Sequence, residues 1–178
     1  MELRKGITGD VRSEVSEEDC LAILESDRWP SGVICLRCGS ANVHDFLVHS
    51  TGRRLYQCSA CRYQFSATTG TAFHRSHIPL LKWFVGMYLL SANPKLSARA
   101  LQKELGITYK AAWRLRKVTR AELLFLDDYF REQEENSNEV DGERRMGRRI
   151  VFASIVRKFA RRLPDSARRG LTRLASSQ

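Results

Sequence analysis

Acidic residues are almost missing from the middle of this 178-residue chain: between positions 28 and 120 only Asp45 and Glu104 are negative, against fifteen Lys and Arg. That block carries +13, the electrostatic footprint of a surface that faces phosphates. The sign alternates around it, with −5 over residues 1–27, −7 over 121–141 and +9 over 142–178, for a total of +10. Long apolar runs are missing too. The longest, Trp83 to Leu90, falls well short of the roughly twenty residues a membrane span needs. Met1-Glu-Leu-Arg-Lys5 leads into a polar stretch without the apolar core of a signal peptide. These absences predict a soluble, cytoplasmic, nucleoid-associated protein with no membrane partner. The chain has only four prolines, and each reads as a helix boundary: Pro30, Pro79, Pro94 and Pro164.

Cysteine is also sparse, at five residues, but four of the five are paired in a telling way. Cys35-Leu-Arg-Cys38-Gly39 and Cys58-Ser-Ala-Cys61 are two CxxC units separated by an interval long enough for a hairpin. Each unit offers two thiolates from one tight turn, so the two together can surround one tetrahedral zinc. Val43-His-Asp-Phe-Leu-Val48 and Leu55-Tyr56-Gln57 read as strands joined across Ser50-Thr51-Gly52, and Tyr63-Gln-Phe65 as a third. A unit this small cannot bury enough apolar surface to hold itself together. Metal binding supplies that stability, on the order of 10 kcal/mol or more in such modules. Four cysteines complete a structural Zn2+ site, leaving His44 and His49 as surface residues. His74 and His77 are read as linker residues, and Cys20, inside an apolar helical pattern, as a buried free thiol.

The remaining pattern is helical. Ser16-Glu-Glu-Asp19 has the form of a capping box ahead of a short helix at about 17–27. Pro79 suits the first turn of a strongly apolar helix that Asn93-Pro94 ends. A helix follows from Ser97 to Leu105, then Gly106 for the turn, then a helix after Thr108 that reaches about Phe125 or beyond. Helix, glycine turn and helix make a helix-turn-helix, with Gln102 standing where a small residue usually permits close packing. The last helix carries Tyr109, Lys110, Arg114 and Lys117 as candidate contacts to double-stranded DNA, with Arg116 and Arg120 beside them. Arg53, Arg54 and Arg62 are the candidates in the ribbon, and Trp113 is expected to pack inward. The fold class is α+β and mostly helical. Its expected parts are an N-terminal capped helix (1–30), a zinc ribbon (31–68), a helix-turn-helix domain (78–126), an acidic linker (127–141) and a basic tail (142–178).

Arg28-Trp29-Pro30, both CxxC units, Phe65-Ser66, Gly70-Thr71, Phe73-His-Arg75, Lys82-Trp83-Phe84 and the run Gln102 to Trp113 together resemble the N-terminal region of a bacterial insertion-sequence transposase family. The resemblance covers about residues 15–120. It implies a zinc ribbon and helices that bind the terminal repeats of the element, followed by a DDE domain that cleaves and joins strands. That chemistry needs three carboxylates holding two divalent metals. Asp141, in Glu139-Val-Asp141, matches the first of them, whereas the 37 residues after it hold only Glu143 and Asp165. The expectation is a DNA-binding protein without a complete DDE centre, Asp141 being its remnant. Self-association, or a separate catalytic chain as partner, is compatible with this reading. An alternative function is a zinc-ribbon adaptor for protein interaction or transcription. Residues 150–156 fit a strand of a truncated domain, an amphipathic helix, or a segment read from a shifted frame.

Overall fold

The computed structural model describes residues 11, 14–48, 53–135 and 152–176. Six helices and one three-stranded antiparallel sheet occur among them: α1 (Glu17–Arg28), β1 (Val43–Val48), β2 (Arg53–Cys58), β3 (Gln64–Phe65), α2 (Leu80–Ala92), α3 (Ala98–Leu105), α4 (Tyr109–Glu135), α5 (Phe152–Arg162) and α6 (Asp165–Ser176). No described helix is long and apolar enough to cross a membrane.

The expected capping box opens α1. Ser16 Oγ accepts from the Asp19 amide at 3.0 Å, and Asp19 Oδ2 accepts from the Ser16 amide at 3.0 Å. Cys20, Ile23 and Leu24 form its buried face. The chain leaves the helix at Trp29, and that indole begins an aromatic cluster with the ribbon. Trp29 meets Tyr56 edge-on at 5.2 Å, and Tyr56 stacks on Phe65 at 5.6 Å. Tyr56 Oη donates to Glu25 of α1 at 2.7 Å. The apolar face of the ribbon therefore packs on Trp29 at the end of α1, because three short strands cannot cover their own inner side chains.

In the sheet β2 lies between β1 and β3. The register pairs Val43 with Cys58 and Val48 with Arg53, and Tyr56 with Phe65 on the other side. The expected turn over Ser50-Thr51-Gly52 lies outside the described residues, as does His49. Between the ribbon and α2 the chain forms successive turns rather than a loose linker, and Phe73 is buried against Trp83, their rings 5.3 Å apart.

Helix α2 is the centre of the molecule, with nine of its thirteen residues buried. Pro79 is its N-cap rather than a first-turn residue. It supplies no side-chain acceptor, and the carboxylate of Glu17 takes that role: Oε1 accepts from the Leu80 amide at 2.5 Å and Oε2 from the Leu81 amide at 3.0 Å.

The helix-turn-helix has the expected local chemistry. Ser97 Oγ accepts from the Ala100 amide at 3.1 Å, Gly106 takes the left-handed conformation at φ 56°, and Thr108 Oγ1 accepts from the Ala111 amide at 3.2 Å. Gly86 of α2 permits close packing of that helix on the pair, since a Cβ there would come within 2.8 Å of Leu115 and 3.2 Å of Leu105.

Two parts of the sequence reading take a definite form here. Helix α4 continues to Glu135, so residues 127–135 of the expected acidic linker are helical; positions 136–141 lie outside the described residues. The basic tail, for which strand, helix and shifted frame were all open, forms the helices α5 and α6 over its described part. Ile155, Phe159 and Leu171 are fully buried and Leu163 nearly so, and Phe159 meets Phe84 of α2 edge-on at 5.6 Å. Polar ties join α5 to α1: Asp27 accepts from Ser154 at 2.5 Å and from Lys158 at 3.0 Å, and Arg162 pairs with Asp19 at 2.6 Å. The acids of the negative first block meet cations of the positive last one.

Candidate metal centre and nucleic-acid interface

The two CxxC turns are built alike. In the first, the Cys35 amide donates to Ser40 O at 2.9 Å and the Gly39 amide donates back to Cys35 O at 2.9 Å. In the second, the Cys58 amide donates to Tyr63 O at 3.0 Å and the Arg62 amide to Cys58 O at 2.9 Å. Both turns need a left-handed residue directly after the second cysteine. The first has Gly39 there, at φ 74°; the second has Arg62, at φ 60°.

The strand register brings the turns together. Cys35 Sγ lies 3.6 Å from Cys61 Sγ, Cys38 Sγ lies 3.6 Å from Cys58 Sγ, and all four sulfurs fall within 4.8 Å of one another. A tetrahedron with metal–sulfur bonds of about 2.3 Å has edges of about 3.8 Å, so the donor set fits one such ion. Among the described residues this is the one group of three or more His, Cys, Asp or Glu side chains able to hold a metal.

The protonation balance of the sulfurs points the same way. Burial opposes ionisation of Cys35, yet the amides of Cys38 and Arg37 bring its thiol down to about 6. The Cys61 amide, against burial, lowers Cys58. At Cys38 the Ser40 amide favours the thiolate, but the neighbouring sulfurs of Cys61 and Cys58 outweigh it and push the thiol up to about 12. Four sulfurs this close cannot all ionise against one another without a cation among them. His44 stays on the exposed strand face, 3.2 Å from Gln57 Oε1 and 3.4 Å from Ser59 Oγ. Burial pushes the thiol of Cys20 far up, so it remains protonated and apart from the cluster.

The basic candidates fall into different settings. Tyr109, Lys110, Arg114 and Lys117 are all exposed on α4, and among the described residues the three cations make no ion pair. With Trp113 they occupy an arc of about 140° at 3.6 residues per turn. Ala112, Leu115 and Thr119 form the buried opposite face. Arg62 is exposed on the second knuckle. Arg54 is held between carboxylates, 3.8 Å from both Glu25 and Asp45. Arg53 opens β2 opposite Val48. Arg116, which sequence placed beside the reading face, instead donates to Leu96 O at 2.7 Å and ties α4 to the turn before α3. Trp113 departs from expectation: its side chain is 49 % exposed rather than packed inward, with Lys117 Nζ 5.1 Å from its ring centroid. Asp141, the candidate catalytic remnant, lies outside the described residues.

Together these features define a four-cysteine ribbon seated on a capped helix and followed by a helix-turn-helix. Residues 15–64, which take in α1 and most of the ribbon, match the family described as the transposase zinc-ribbon domain, of the IS1595 type. A protein from Halobacterium salinarum, described as an uncharacterized protein in transposable element ISH50, is 32 % identical over 104 residues. That match covers 58 % of this chain but 35 % of the relative, so the chain spans about a third of the curated protein it matches. No solved structure matches it.

Proposed function

We propose that this chain is the DNA-binding part of a transposase-related protein, that it recognises the terminal repeats of an insertion element, and that its cysteine cluster holds a structural zinc ion. The observation that carries the reading is the exposed cationic face of α4, Lys110, Arg114 and Lys117, presented directly after a Gly106-centred turn. A recognition helix exposes such a face to the major groove, where Arg reaches guanine edges and Lys neutralises phosphate. The similarity of residues 15–64 to a transposase zinc ribbon supports the element as the source of the DNA. Zinc would fix the two knuckles and leave no open coordination position for water or substrate, so its role would be structural. No carboxylate trio among the described residues provides for strand cleavage, and that step is assigned to a separate catalytic chain. Acting on chromosomal or element DNA, the protein would reside at the nucleoid.

The test is binding of the zinc-loaded protein to duplexes carrying a terminal repeat or its scrambled sequence. One zinc per chain is expected, with a log–log salt slope of about −0.9 per phosphate neutralised. Lys110→Ala combined with Arg114→Ala should lower the affinity for the repeat at least tenfold. Affinity that ignores both salt and these substitutions would overturn the reading. It would favour instead a protein-binding adaptor, the reading that the exposed Ile34 and Leu36 beside the first knuckle support.

A further inference from the structure

Of the three tryptophans in the chain, Trp29 is 7 % exposed and Trp83 fully buried, so Trp113 alone meets solvent. It is not needed to close the core, since Ala112, Leu115 and Thr119 already form the buried side of α4. It is the fifth residue of α4, one turn after Tyr109 and one turn before Lys117, within the first turns that a recognition helix inserts into a groove. From Tyr109 to Arg120 the helix carries five basic residues and no acidic one. An exposed indole in such a setting calls for a partner both polyanionic and locally apolar. Duplex DNA satisfies both conditions, because the thymine methyl is the apolar feature of a major groove walled by phosphates.

We propose that Trp113 reads sequence, its indole packing on thymine methyl groups while Lys117, stacked across one face of the ring, reaches the adjacent phosphate. The inference rests on the DNA-binding reading of α4 and assigns part of its sequence preference to one side chain. Lys110 and Arg114, on the other flank of the arc, would read or neutralise without contributing a preference for thymine.

The experiment uses the full zinc-loaded chain and the duplex it selects from a random pool. Replacing single thymines in that duplex by deoxyuridine removes only a methyl group. At one or two positions this should weaken the wild type roughly three- to tenfold. Trp113→Ala should show no such penalty and should select a sequence lacking those thymines. Because the indole is half exposed, the variant should unfold at the wild-type temperature. Iodide quenching in the wild type, which reports Trp113 alone, should disappear when the selected duplex is bound. The proposal is overturned if deoxyuridine is tolerated at every position by the wild type, if Trp113→Ala selects the same sequence with the same penalties, or if iodide still reaches the ring in the complex. A wild type with no affinity for any duplex would instead overturn the DNA-binding reading itself.

Discussion

The carboxylate of Glu17 caps the helix that begins at Leu80, 63 residues away, by accepting its first two amide hydrogens. Pro79 leaves that helix without a local acceptor, and a negative charge there also meets the positive end of the helix dipole. Glu17→Ala should cost about 1–2 kcal/mol. Glu17→Gln should recover part of that, since one amide oxygen can still accept. The check is the urea midpoint, expected to fall at unchanged m.

Gly86 lets α2 touch the helix-turn-helix. Replacing it with Ala would add about 1 kcal/mol of helix propensity. The new methyl, however, lies 2.8–2.9 Å from both Leu115 methyl carbons. Overpacking of this kind costs about 1–3 kcal/mol and should prevail, so Gly86→Ala is expected to be net destabilising. Thermal unfolding of the pair Gly86→Ala and Leu115→Val, whose smaller side chain should restore part of the loss, tests the contact directly.

The two cysteine turns should respond in opposite directions to gaining and to losing a Cβ at the left-handed position. Gly39→Ala places a Cβ at φ 74° and should destabilise the ribbon by about 1 kcal/mol, even though no atom lies within 4 Å of it. Arg62→Gly relieves the same geometry at φ 60° and should stabilise it by about 0.5–1 kcal/mol. If Arg62 contacts DNA, as the sequence leads one to expect, that variant gains stability and loses affinity, which zinc retention under chelator and a duplex titration would separate.

Phe159 distinguishes an integral tail from a passenger. Its ring is fully buried and edge-on to Phe84, so Phe159→Ala should cost about 3–5 kcal/mol. A transition unchanged from wild type in thermal melts would refute the role of α5 in the core.

Asp19 predicts an acid dependence. The Ser16 amide, then the Ser16 hydroxyl, hold its carboxyl below the ordinary 3.8, with a lesser contribution from Arg162. A carboxyl with a depressed folded pKa contributes its full stability above the unfolded value and loses it as pH falls through the folded one. The stability difference between wild type and Asp19→Asn should therefore be constant at neutral pH, shrink below 3.8 and vanish in stronger acid. Urea titrations at a series of pH values would show it.

The readable parts of this protein were those whose physics is local. Two CxxC units, a Ser-x-x-Asp box, Gly106 and Thr108 each state their conformation within five residues, and the structure places the cysteines together and caps the helices accordingly. Trp113 was misplaced because helical periodicity assigns it to the flank of the apolar stripe, where only the neighbouring helices determine whether a ring is covered. The tail was ambiguous because its apolar spacing over 150–156 satisfies both a strand and a helix.

The sequence by itself determined that four thiols would gather and that a cationic helix would follow a glycine turn, since turn geometry and charge are properties of neighbouring residues. Only the tertiary structure decided that Glu17 caps α2, that Gly86 admits Leu115, and that α5 docks on the acids of α1. Those contacts join residues far apart in the chain. Their partners are chosen by which surfaces remain uncovered once the local elements have formed.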